Sequence, residues 1–306
     1  MTRKATSNQS AQTWSSKSLA SHWQHEFFYL LIQFCGRWPA YIFSYIVVLC
    51  YVLFVPEVHR RSSYYIGKRF PKANKLARWY HVWRLCQNMA IALIDKAAIG
   101  IRGTEEFTYS LKGLEELKEL QAQGNGLILL TAHAGSWQAS LGGLDLLETP
   151  VHVMMYRGEG DVDIPYFEFT ARHNINVIPA EDTMGSVIAV AAALRKNELV
   201  AIMGDRIFPP TAYTASVDFL GDSALFPTAA YKIAQSTQAP VALLLTRKIG
   251  ASQMELSVAH ILTVPKSAKN NFTPYAQEVA HALEDYVQTT PYQFYNFFDL
   301  WSTTNE

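Results

Sequence analysis

Residues 126 to 138, GLILLTAHAGSWQ, decide how the chain folds. Leu127 to Leu130 is a short apolar run bounded by glycine and small polar residues, the pattern of a strand buried on both faces. His133 follows just past its carboxyl end, the edge where open α/β sheets place ligands. Ala134 and Gly135 are small enough to let another molecule approach the backbone. Ser136 is suited to cap a following helix, whose unpaired N–H groups would face the same crevice. Gln138 falls in the first helical turn, within reach of the imidazole. A capped strand-to-helix turn with an incidental histidine reads the same residues equally well.

The whole chain limits what such a strand can belong to. Its 306 residues suffice for one large α/β domain with an appendage, or for two modest domains. Basic and acidic residues balance at 26 each, and no basic-aromatic stripe appears, so nothing points to nucleic acid. Cys35, Cys50 and Cys86 are the three cysteines, too few for a disulfide framework and not grouped with histidines for a metal, so no metal ligands are expected. A reducing compartment suits the soluble part.

Residues 1 to 20 are polar and rich in Ser, Thr and Gln, and are expected to be a disordered tail. From Phe27 to Val55 the chain is almost wholly apolar and aromatic, broken at Gly36-Arg37-Trp38-Pro39. The second piece, Ala40 to Val55, would be about 24 Å long as a helix, a little short for a bilayer. Two arrangements compete: one tilted helix from Phe27 onward, or a re-entrant helix pair with Arg37 near its turn. A core helix of a soluble protein is the third. Arg60, Arg61, Lys68, Arg69, Lys72, Lys75 and Arg78 follow the run. They place that flank on the cytoplasmic side and suit anionic headgroups. Residues 21 to 58 are therefore expected to be a membrane anchor, and 59 to 306 the working domain.

Apolar residues recur at helical spacing from Lys75 to Ile99, with Trp79 and Trp83 as a packing pair. Residues 111 to 123, LKGLEELKELQAQ, read as a charged amphipathic helix. Beyond Ser136, where a helix is expected to start, strands at 151–156, 175–179 and 199–203 alternate with helices near 165–173 and 184–196. Residues 216 to 226 suggest a hairpin, Pro227 opens a helix, strands follow at 241–247 and 254–261, and a last helix covers 274–287. This alternation predicts an α/β fold with a mostly parallel central sheet flanked by helices. His133, Arg157, Asp205 and Arg206 would then share one rim. Arginine suits two-pronged binding of a carboxylate or phosphate, so Arg157 and Arg206 are candidate substrate ligands, with Arg172 within reach; each is also plausible as an ordinary surface residue. No nucleophile-elbow serine, phosphate loop or zinc helix is spelled, and Gly158-Glu159-Gly160 lacks a third glycine for a dinucleotide.

Several blocks together resemble the lysophospholipid acyltransferase superfamily, and within it the lipid A biosynthesis lauroyl and myristoyl acyltransferase-like branch. They are TAHAGSWQ at 131–138, MGDR at 203–206, VDFLGDSALFPTAAYKIA at 217–234, APVALLLTRK at 239–248 and PYQFYNFFDLW at 291–301. The resemblance implies a glycerolipid acyltransferase-like fold on the cytoplasmic face of the bacterial inner membrane. It implies transfer of a fatty acyl chain from an acyl carrier protein or coenzyme A thioester to a hydroxyl of a lipid or glycolipid acceptor, with no cofactor beyond that co-substrate. His133 would be the general base, and Gly135, Ser136, Arg206, Phe226 and Pro227 would lie near donor or acceptor. The family spells His-x4-Asp/Glu, the acid orienting the imidazole; here Gln138 stands in that place. A glutamine carbonyl can fix the tautomer but brings no charge, which makes Asp205 the better candidate for the acid. Gln138 also motivates a rival, a noncatalytic lipid-binding or scaffold protein on this fold. A thioesterase-like hydrolase, with water replacing the acceptor, is the other.

Overall fold

A computed structural model describes residues 22–155, 175–180, 183–207 and 213–301. At its centre is β2 (Leu127–Thr131), whose four apolar residues are all essentially inaccessible. Ile128 and Leu130 join the core on one side of the sheet, and Leu127 and Leu129 the core on the other. Alternate side chains of a strand point to opposite faces, so a strand covered on both sides must be apolar throughout. Each such side chain contributes about 1.5–3 kcal/mol by leaving water.

Around β2 a seven-stranded sheet forms in the order β1-β9-β8-β2-β5-β3-β4. The strands are β1 (Thr108–Lys112), β3 (Val151–Met155), β4 (Ile175–Pro179), β5 (Leu199–Met203), β8 (Val241–Lys248) and β9 (Gln253–Leu262). All neighbours run parallel except β8 and β9, which a four-residue turn joins as an antiparallel hairpin. A separate two-stranded hairpin comprises β6 (Thr214–Phe219) and β7 (Asp222–Pro227). This is the expected α/β architecture.

Local readings differ at three places. Residues 108–112 form edge strand β1, so the helix expected from Leu111 begins only at Leu114, as α5 (Leu114–Gln121). Pairing with β9 overrides the helical spacing that Leu111 shares with the residues after it. The segment expected to be a helix from Ser136 is a 310 helix, Ala139–Leu147. It is pressed close to Tyr109 and Leu256 through Gly142 and Gly143, where added Cβ atoms would come within 2.7 Å of neighbouring side chains. Pro227 ends β7 rather than opening a helix, because the ladder continues through Thr228, whose N–H donates to the Tyr213 carbonyl. The helix follows at α7 (Ala229–Thr237). Together with α6 (Thr183–Arg195) and α8 (Thr273–Thr289), it packs on the Ile128 side of the sheet.

The N-terminal apolar region is a helical hairpin, α1 (His22–Cys35) and α2 (Arg37–Phe54), reversed at Gly36 with φ of 77°. The two apolar pieces are separate helices, not one helix running from Phe27 onward. The legs of the hairpin meet where the Tyr51 hydroxyl donates to Gln24 at 3.0 Å and where the Phe27 and Phe43 rings lie 5.0 Å apart. Arg37 at the turn is buried, donating to the Glu106 carbonyl and to Ser252, with its guanidinium 4.1 Å from the Phe107 ring centre. By length and composition α2 could cross a membrane. One face, Tyr41, Ser44, Val48 and Val52, is buried, while Ile42, Ile46, Leu49 and Leu53 on another face are exposed.

Two further helices follow, α3 (Pro56–Arg69) and the long α4 (Lys75–Arg102), whose N-terminus Asn74 caps by accepting from Ala77 N–H. The basic residues after the apolar run largely turn back on the protein. Arg60 and Arg61 pair with Glu57 and Lys68 with Asp222, while Arg69 and Arg78 donate to main-chain carbonyls.

Candidate active site

Strands β2 and β5 are parallel neighbours with Thr131 opposite Met203. Two residues beyond each, at the carboxyl rim, stand His133 and Asp205. The Asp205 Oδ1 atom is 2.9 Å from His133 Nδ1, and Oδ2 accepts from the His133 main-chain N–H at 3.0 Å. A carboxylate can only accept, so Nδ1 carries the proton and Nε2 keeps its lone pair. Gly204 makes the approach possible: its N–H donates to the Thr131 carbonyl, and a Cβ there would lie 2.8 Å from the Leu130 side chain.

The loop bearing His133 is held from several sides. Ala134 forms a β-bridge with Phe294, Gly135 N–H donates to the Gln293 carbonyl at 2.7 Å, and Tyr295 N–H donates to the His133 carbonyl at 2.9 Å. The Thr246 hydroxyl donates to the Ala134 carbonyl. The Trp137 ring lies 5.0 Å from the imidazole and itself packs on Tyr295. The C-terminal aromatic run therefore braces this loop, a contact the sequence does not announce because it joins positions some 160 residues apart.

Burial lowers the His133 pKa, and the nearby Arg206 charge lowers it further; Asp205 opposes both without overcoming them. The imidazole is accordingly neutral at pH 7. Burial works against the Asp205 carboxylate, yet His133 and Arg206 outweigh it and hold its pKa below the usual value. Arg206 is brought down by burial to about 10, which leaves it charged at pH 7. A neutral base, an ionised acid behind it and a fixed cation nearby are the groups needed to move a proton while negative charge develops.

The other residues singled out in the sequence divide. Gly135, with φ of 59°, faces its own chain: a Cβ there would meet the Thr246 carbonyl oxygen at 2.1 Å. It makes room for β8, so packing alone requires its small size. Ser136 does not cap the 310 helix; it is buried and donates to Asp95 at 2.9 Å. Gln138 is half-buried and immediately precedes that helix, while Nδ1 of His133 is engaged by Asp205. One Arg206 Nη atom donates to the Tyr295 carbonyl at 2.8 Å. Phe226 is fully buried and packs on Phe219, and Pro227 is half-buried at the end of β7. Arg157, Arg172 and the helix expected near 165–173 lie outside the described residues, as does the 1–20 tail. Among the described residues, no cluster of His, Cys, Asp and Glu could hold a metal ion.

A family model described as bacterial lipid A biosynthesis acyltransferase matches residues 70–303. The match takes in His133, Asp205 and the C-terminal aromatic run, and begins just after α3. No curated protein matches the chain.

Proposed function

The chain belongs to the family of bacterial lipid A biosynthesis acyltransferases, and from that premise we propose that His133 is the general base of acyl transfer from a thioester to a lipid hydroxyl. The observation that carries this reading is the Asp205 carboxylate on His133 Nδ1, which leaves Nε2 as the basic atom.

Chemically, the acceptor hydroxyl loses its proton to Nε2 as its oxygen attacks the thioester carbonyl carbon, giving a tetrahedral oxyanion and an imidazolium. Asp205 stabilises the imidazolium, and the charge on Arg206 favours the oxyanion. Collapse breaks the carbon–sulfur bond, and the departing thiolate takes the proton back from Nε2. The products are a lipid ester and a free thiol. General-base catalysis of this kind contributes roughly 10² to 10⁴ in rate. The thioester is carried by acyl carrier protein or coenzyme A. Asp205 takes the role that the family's acid has along the helix, so Gln138 does not deprive the imidazole of a counter-charge.

Membrane association at the cytoplasmic face of the inner membrane completes the proposal. Its support is the exposed apolar face of α2, together with Phe34 and Trp38 at the hairpin turn. A cavity of 190 Å³ between α1, α2 and α4, walled by Phe28, Ile32, Val48, Leu93, Ile94 and Ala97, also suits contact with hydrocarbon.

The test is purified protein in detergent, supplied with acyl carrier protein and coenzyme A thioesters and with a lipid acceptor. Lipid ester supports the proposal. Free fatty acid alone indicates a hydrolase, and lipid binding without turnover a scaffold.

A further inference from the structure

Away from the reacting atoms, one buried group joins the N-terminal hairpin to the His133 loop. Asp95, in the C-terminal half of α4, is fully inaccessible, and its carboxylate receives donors from three different parts of the chain. Tyr41 of α2 donates to Oδ1. Ser136, three residues after His133, donates to Oδ2 at 2.9 Å. Lys248 at the end of β8 places Nζ 2.9 and 2.7 Å from the two oxygens, and 3.0 Å from the Tyr41 hydroxyl.

The circuit closes on the other side of the loop. Lys248 exchanges two hydrogen bonds with the Gln293 side chain, its N–H donating at 2.8 Å and its carbonyl accepting at 3.0 Å. The Gln293 carbonyl in turn accepts from Gly135 N–H at 2.7 Å. Residues 135 and 136 are thus held by a closed ring: Ser136 to Asp95, Asp95 to Lys248, Lys248 to Gln293, Gln293 to Gly135. Among the described residues, the charged members of the ring are Asp95 and Lys248, and Tyr41, from the apolar hairpin, reaches Asp95 from outside it. A buried ion pair contributes little net stability against apolar side chains of its size, but it fixes geometry, since each partner left alone is costly.

We infer that Asp95 is a positioning residue: through Ser136 it holds the His133 loop, and through Tyr41 it makes the placement of that loop depend on the seating of the N-terminal hairpin. The inference rests on the reading of His133 as the base. It goes beyond that reading in coupling the hairpin, which lies outside the family match, to the site.

Asp95→Asn would strand the Lys248 charge and endanger folding, so the donors are removed instead: Tyr41→Phe, Ser136→Ala and the double variant, in full-length protein in detergent. Two quantities are read, hydrogen exchange of the amides at 135–138 and steady-state acyl transfer. Tyr41→Phe is expected to speed exchange at 135–138 about tenfold while the amides of β2 stay protected, and to lower kcat several-fold with KM unchanged. The double variant should fall short of the sum of the single effects, because both act through one carboxylate. Exchange at 135–138 unchanged by Tyr41→Phe, full additivity, or faster exchange with kcat unaltered would each overturn the inference. Exchange does not depend on turnover. If exchange responds while wild type makes no lipid ester, the coupling stands and the acyl-transfer reading fails.

Discussion

Asp205 holds His133 at two points, the ring at Nδ1 and the main chain at its N–H, from the end of the neighbouring strand. The acid therefore fixes both where the imidazole sits and which nitrogen is free. The pairing of β2 with β5 sets the separation of the two rim positions.

Replacing Asp205 by Asn keeps the shape and removes the charge. The imidazolium formed during transfer then loses its counter-ion, and an amide N–H turned toward Nδ1 would reverse the tautomer. A fall in kcat on the order of 10² to 10⁴ is expected, with KM little changed. Steady-state kinetics of the purified variant measures it; activity within a few-fold of wild type would remove Asp205 from this role.

The low pKa of His133 fixes the sign of two pH effects. Activity should rise along an acid limb whose midpoint lies below the ordinary histidine value of 6.5, then level off. In Asp205→Asn that limb should move to still lower pH, because the group that raises the His133 pKa is gone. For stability, the unfolded chain binds the proton first as pH falls, so stability is full above 6.5 and declines between 6.5 and the folded pKa. Denaturation at stepped pH, with His133→Ala as reference, shows whether the decline belongs to this residue.

Gly135→Ala should be among the most damaging single-methyl changes in the chain. Its φ of 59° disfavours a side chain, and the new Cβ would sit 2.1 Å from a β8 carbonyl that the sheet cannot move. A loss above about 2 kcal/mol is expected, read by thermal or denaturant unfolding. Wild-type stability would mean that the loop can shift away from β8.

Charges on the exposed face of α2 should weaken membrane attachment without unfolding the protein. Ile42 is 70% exposed and Leu53 is 51% exposed, so Ile42→Asp with Leu53→Asp removes apolar contact at little cost to the core. Flotation with vesicles should show the double variant shifted to the soluble fraction with an unchanged melting temperature. Unchanged flotation would place the contact elsewhere.

How far the sequence carried depends on how local the signal is. Leu127 to Leu130 could be read as a two-sided strand because four consecutive apolar residues leave no polar face, and His133 at its end followed from that. Asp205 was legible for the same reason, at the end of Leu199 to Met203. Asp95 was not, since Ile94-Asp95-Lys96 is one turn of an amphipathic helix until α2 and β8 close over it. Gln293 was hidden likewise within the aromatic block at 291–301. Ser136 looked like a cap because its type and place fit, and only the neighbouring α4 reveals that its hydroxyl is spent on Asp95.

Whether His133 Nε2 takes the acceptor's proton is measured by following lipid ester and free thiol together for wild type and His133→Ala. Wild type should release one thiol per ester formed, and His133→Ala should lose at least about a hundredfold in both while remaining folded. Ester formation by His133→Ala at a rate close to wild type would mean that another group takes the proton.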